Sequence, residues 1–135
     1  MRESYRIALV QSKEMLCEIN FAAYDELLFI GKSIGTAAAA QIAMELPVRA
    51  RLLLYTPLEE TFLFPLEDAV VFTGTADPWV GKENSRIPLL CEERGIPCHV
   101  IPGGNHSLEC GNAQKDLENL QEIMRETGKF VRKEK

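Results

Sequence analysis

Four short apolar bursts punctuate the chain, at Glu26 to Ile30, Ala50 to Tyr55, Ala69 to Thr73 and Cys98 to Ile101. Each is nearly continuous rather than alternating, and a strand that is apolar on both faces belongs to a parallel sheet covered by helices. Helical patterns lie around and between them. From Ser4 to Ile19, Tyr5, Leu9, Leu16 and Ile19 recur at helical intervals among polar residues, which predicts an amphipathic helix. An alanine-rich segment runs from Thr36 to Leu46, and a shorter one from Ser85 to Arg94 is ended by Gly95. The last runs from Ala113 to Thr127, with Leu117, Leu120 and Met124 as its apolar stripe, Asn112 as cap and Gly128 as stop. Strand and helix alternate throughout. The expected fold class is therefore α/β, three-layered, with a mostly parallel sheet of about four strands, helices on both faces and right-handed crossovers. Residues 1–135 are expected to form one domain.

Between the first burst and the alanine-rich helix stands Gly31-Lys32-Ser33-Ile34-Gly35. A serine at the tip of a strand-to-helix turn projects its hydroxyl from the carboxyl edge of the sheet, and flanking glycines let strand and helix close around it. The bare G-x-S-x-G spacing arises by chance in roughly 4% of chains of this length at ordinary glycine and serine frequencies. Without further signals an ordinary loop with a capping serine explains it as well.

Further signals come from the other strand ends, where functional groups collect in an open parallel sheet. After the third burst, Thr73-Gly74-Thr75-Ala76-Asp77-Pro78-Trp79-Val80 carries a carboxylate. After the fourth, Pro102-Gly103-Gly104-Asn105-His106-Ser107 presents an imidazole on a glycine turn. A serine hydroxyl becomes a good nucleophile when a neutral imidazole can take its proton, and a carboxylate fixes the imidazole tautomer and stabilises the imidazolium that forms. Each member also has a plainer reading. Asp77 before Pro78 fits a turn, His106 fits a solvent-exposed loop, and His99, inside a strand, fits the core or a sheet edge and is left out of the site.

With the order Ser33, Asp77, His106, nearly the whole chain resembles the α/β-hydrolase superfamily, in which G-x-S-x-G is the nucleophile elbow. More narrowly, Leu28 to Gly35 and Gly74 to Pro78 are similar to the dienelactone-hydrolase group. The resemblance implies Ser33 as nucleophile, His106 as general base and acid, Asp77 as its orienting partner, and the Ile34 amide as one oxyanion donor. Two residues are candidates for substrate binding. Lys32 can point into solvent or toward a substrate anion, and Trp79 can line an acyl pocket or pack under the Asp77 loop. Phe62 and Phe64 lie where hydrolases often carry a lid, and fit core packing equally.

Members of that superfamily typically have several strands before the elbow, and a loop there donates the second oxyanion amide. No glycine precedes Gly31, so that loop is expected to be missing. Losing one such donor costs on the order of 10²- to 10³-fold in rate, which makes weak or absent catalysis an open alternative. The strand from Glu26 to Ile30 is then expected to have an open side, and an apolar edge invites pairing. Two chains are expected to associate as a homodimer; a fragment of a longer hydrolase is the other reading.

Composition narrows the field. Net charge is −5 and pI about 5.1, which argues against a nucleic-acid partner. The basic tail of Lys129, Arg132, Lys133 and Lys135 reads as a solvated end. No apolar run approaches the roughly 18 residues needed to span a bilayer, and no signal peptide is visible, so no membrane association and a cytoplasmic location are expected. Cys17, Cys91, Cys98 and Cys110 lack metal or redox spacing, and are expected to be buried free thiols with no metal and no cofactor. The glycine pattern fits neither dinucleotide nor P-loop binding. The expected function is a serine hydrolase of esterase or thioesterase type acting on a small ester; a non-catalytic hydrolase-like module is the alternative.

Overall fold

The computed structural model describes residues 2–134. In chain order the elements are α1 (Arg2–Leu16), β1 (Leu27–Lys32), α2 (Ile34–Glu45), β2 (Ala50–Tyr55), β3 (Ala69–Gly74), α3 (Ile87–Glu93), β4 (Cys98–Ile101) and α4 (Ala113–Val131). The strands form one parallel sheet in the order β1-β2-β3-β4. Among the described residues no helix is long and apolar enough to cross a membrane.

Side chains of a strand alternate between faces, and here both faces are covered. Leu52, Leu54 and Val71 pack with Ala40 of α2 and with Ile87 and Cys91 of α3. Leu53, Val70 and Phe72 pack with Ile123 of α4. Every residue of β3 is buried, which accounts for its unbroken apolar sequence. The α1 helix packs on α2 through a Tyr5–Gln41 hydrogen bond and a Lys13–Glu45 ion pair at 2.6 Å.

The outer strand β1 pairs on one side only, with β2. Ile30, in its middle, is 63% exposed. The expected open edge is therefore present among the described residues.

Several expectations need correction. Both β1 and β3 extend to include a glycine of the site, Gly31 and Gly74, because strand hydrogen bonding continues to the point where the chain must turn. The α1 helix stops at Leu16, leaving Ile19 exposed beyond it. Gly128 does not stop α4, which continues to Val131. Packing overrides the weak helix propensity of glycine there: Phe130 joins the core beside Leu28 and Tyr55, and the Arg51 guanidinium lies 4.2 Å from the Phe130 ring centre. That guanidinium also donates to the carbonyls of Phe130 and Val131. The face of α4 that meets the sheet carries Asn119, Ile123 and Thr127, while Leu117, Leu120 and Met124 are more than half exposed. Of the cysteines only Cys91 is buried; Cys98 and Cys110 are half-buried and Cys17 is exposed.

Candidate active site

The turn from β1 into α2 is tight. A Cβ on Gly31 would come within 2.7 Å of the Gly35 carbonyl oxygen and 2.8 Å of the Thr36 Cα, so only glycine lets the helix start this close to the strand. Gly35 has open space where its own Cβ would lie. Of the two motif glycines, the first alone is demanded by its surroundings. Ser33 sits between them at φ 55° and ψ −125°, a region that side chains rarely adopt and that concentrates at functional sites. Its amide donates to the Tyr55 carbonyl at 3.0 Å. Its carbonyl accepts from the buried Thr36 hydroxyl at 2.6 Å, and Thr36 Oγ1 in turn accepts from Thr61 Oγ1 at 2.7 Å. Ile34 opens α2, so its N–H has no acceptor within the helix and lies at the positive end of the helix dipole.

The other two loops are locked to each other. Beyond β3 and β4, the amide of Thr75 donates to the Ile101 carbonyl at 3.1 Å and that of Ala76 to the Gly104 carbonyl at 2.9 Å. The Gly103 amide donates to Thr75 Oγ1 at 2.7 Å. Past His106 the chain is turned by Asn105, whose Oδ1 accepts from the amides of Ser107 and Glu109 at 2.8 and 3.2 Å.

These loops bring Ser33, Asp77 and His106 together. His106 Nε2 lies 2.7 Å from Ser33 Oγ, and His106 Nδ1 lies 2.8 Å from Asp77 Oδ2. Asp77 is fully buried, and its other oxygen accepts the Trp79 amide at 2.9 Å. With the carboxylate accepting at Nδ1, that nitrogen carries the proton and Nε2 is left to accept from the serine hydroxyl. The arrangement can move a proton from Ser33 to His106 while Asp77 holds the ring.

The remaining candidates fall differently. Lys32 Nζ donates to the His106 carbonyl at 3.1 Å, so it is engaged with the loop that carries the imidazole. Trp79 is 63% exposed, with its ring centre 5.8 Å from that of His106; it flanks the site and does not pack beneath the loop. Phe62 is buried in the core with Phe64 against it. His99 stacks on Phe72 at 4.8 Å, away from the site. Sequence reasoning missed Thr36, Thr61, Thr75 and Asn105; only Asn105, before the histidine in a glycine turn, carries a local signal.

A cavity of about 590 Å³ adjoins the site between α4 and the carboxyl ends of β1 and β2. Tyr55, Leu108, Ile123 and the outward stripe of α4 line it, with Lys32, the chain neighbour of Ser33.

No family model matches the chain, and no curated protein matches it. Solved structures do. An α/β serine hydrolase homologue from Coxiella burnetii aligns over 87% of this chain and 57% of its own at 20% identity, with a TM-score of 0.62. A protein of unknown function from Agrobacterium tumefaciens, a candidate α/β hydrolase, aligns over 94% and 58% at 19% identity and a TM-score of 0.63. A candidate hydrolase of the same superfamily from Xanthomonas campestris pv. campestris aligns over 90% and 69% at 16% identity and a TM-score of 0.59. The chain thus spans between little more than half and about two thirds of each of these proteins. A four-stranded parallel sheet wrapped by helices, with a serine on its strand-to-helix elbow, is here the fold of the α/β-hydrolases.

Proposed function

We propose that the chain is a serine hydrolase cleaving a small ester or thioester. The observation that carries this reading is the hydrogen-bonded chain Ser33 Oγ, His106 Nε2, His106 Nδ1, Asp77 Oδ2, with links of 2.7 and 2.8 Å. Ser33 Oγ attacks the acyl carbonyl carbon as its proton passes to His106 Nε2, and the carbonyl oxygen gathers negative charge facing the Ile34 amide. Collapse breaks the bond to the leaving alcohol or thiol, which takes the proton from His106. Water then attacks the acyl-Ser33 ester with His106 again as base, releasing the acid and restoring the serine. The names of the solved neighbours, one of them a serine hydrolase homologue, support the same chemistry.

A fluorophosphonate probe tests the reading. Labelling of Ser33 in the wild type, lost in Ser33→Ala and His106→Ala, is the expected result. Failure of the wild type both to take the label and to hydrolyse short p-nitrophenyl esters overturns it.

The open edge of β1 favours a second reading, in which the hydrolase-like module acts by association. Leu27 to Lys32 present unpaired backbone groups, and Ile30 is exposed on that strand. Under this reading the chain forms a stable homodimer and lacks esterase activity. A monodisperse monomer at tens of micromolar in sedimentation counts against it.

A further inference from the structure

The cavity beside Ser33 has a lining that selects a chemistry. Its floor is Leu108 and Ile123, both buried, and its walls are Tyr55, Leu117, Leu120 and Met124. Leu108 is held at φ 62°, an uncommon backbone for a branched apolar residue, and its side chain turns into this floor. Three of the polar groups around it are engaged, while the side chains of Ser107 and Glu109, also in the lining, are exposed. Tyr55 Oη bonds Thr127 Oγ1 at 2.6 Å. Asp116 accepts the Cys110 amide at 2.7 Å, which holds its carboxyl below the ordinary value. Lys32 Nζ donates to the His106 carbonyl. An anion would meet the Glu109 carboxylate, whereas a hydrocarbon chain matches the apolar majority of the lining.

The position fits the same occupant. Lys32 and Tyr55 are the last residues of β1 and β2 and pair in register, so the cavity opens at the rim that carries Ser33. Leu108 follows His106 by two residues. The cavity's 590 Å³ lies within the usual range for small-molecule sites, about 300 to 1,000 Å³. The exposed stripe of α4 is flanked by the ion pairs Lys115–Glu118 and Glu122–Arg125, a solvated border around an open apolar channel.

We propose that this channel holds the acyl chain of the substrate, and that the substrate class is a medium-chain acyl ester or thioester whose carbonyl sits at Ser33. The assignment rests on the hydrolase reading for its chemistry, and two measurements separate the fates of the two. In the first, p-nitrophenyl esters from acetate to decanoate are compared on protein already tested for fluorophosphonate labelling. The expected kcat/KM rises about threefold to fourfold per methylene, the transfer value of a buried CH₂ group, and levels off when the channel is full. In Leu120→Gln and Met124→Gln the ratio of decanoate to acetate rates falls by about tenfold or more. A flat series on labelled protein, or a ratio unchanged in both variants, overturns the proposal while the hydrolase reading stands.

The second measurement needs no turnover. Methyl-labelled methionine is followed by NMR during titration with decanoate, with Met124→Leu assigning the signal. A saturable shift of Met124, with Met15 and Met44 unmoved, is expected. If it occurs in protein that takes no label, the channel stands as an acyl-binding site and the hydrolase reading falls. No shift up to millimolar decanoate overturns the channel, as does a shift that follows protein concentration alone, which would place a second copy of the chain there.

Discussion

Gly74 faces Gly104 so closely that a Cβ added to Gly74 would lie 2.1 Å from the Gly104 carbonyl oxygen. The contact joins the loop of Asp77 to the loop of His106, backbone to backbone. Neither partner is a flexible side-chain end that could swing away. Gly74→Ala is expected to cost about 3 kcal/mol of stability by urea unfolding, and to abolish fluorophosphonate labelling even in protein that remains folded. Labelling at the wild-type rate would show that the two loops hold their geometry without this contact.

The two glycines of the elbow should respond oppositely to alanine. Gly31→Ala forces a Cβ into the α2 backbone at 2.7 to 2.9 Å, and is expected to destabilise by about 2 to 3 kcal/mol. Gly35→Ala meets nothing within 4 Å and lies in the first turn of a helix, where alanine is favoured over glycine by about 0.5 to 1 kcal/mol. Denaturant midpoints measure both. A greater loss at Gly35 than at Gly31 would refute the packing described for the turn.

Lys32 separates two roles kinetically. Its ammonium group is committed to the His106 carbonyl, so Lys32→Met is expected to lower kcat by up to about tenfold, the net worth of one such hydrogen bond, with KM little changed. A rise in KM at constant kcat would instead mark Lys32 as a contact to the substrate.

Buried hydroxyls offer a fourth comparison. Thr73 is 1% exposed and its Oγ1 has no hydrogen-bond partner, so Thr73→Val should be neutral or stabilise by about 1 kcal/mol. Thr61→Val removes the donor to Thr36, which supports the Ser33 carbonyl, and should cost about 1 kcal/mol. Thermal unfolding of the pair tests the sign of each.

The parallel sheet was legible because its central strands, β2 and β3, are buried on both faces. The nearly continuous apolar runs Ala50 to Tyr55 and Cys98 to Ile101 coincide with β2 and β4. Which loops carry Ser33, Asp77 and His106 could also be read, since glycine turns follow the strand ends. What periodicity could not reveal was direction. Leu117, Leu120 and Met124 share one side of α4 as their spacing requires, yet it is the neighbouring side, with Ile123, that meets the sheet. Gly128 shows the same limit, because the packing of Phe130 and Arg51 that carries the helix past it links residues far apart in the chain. The backbone zipper between the two loops was illegible for another reason, as main-chain amides leave no mark on residue type.

The indole of Trp79 has one further consequence. It is the sole tryptophan of the chain and lies beside the imidazole of His106. A protonated imidazole quenches a nearby excited indole more strongly than a neutral one does, so the emission of this protein carries a built-in optical gauge of the charge on a single ring. Titration of that emission, with His106→Gln as the blank, would let the proton be followed by light, without substrate and without added dye.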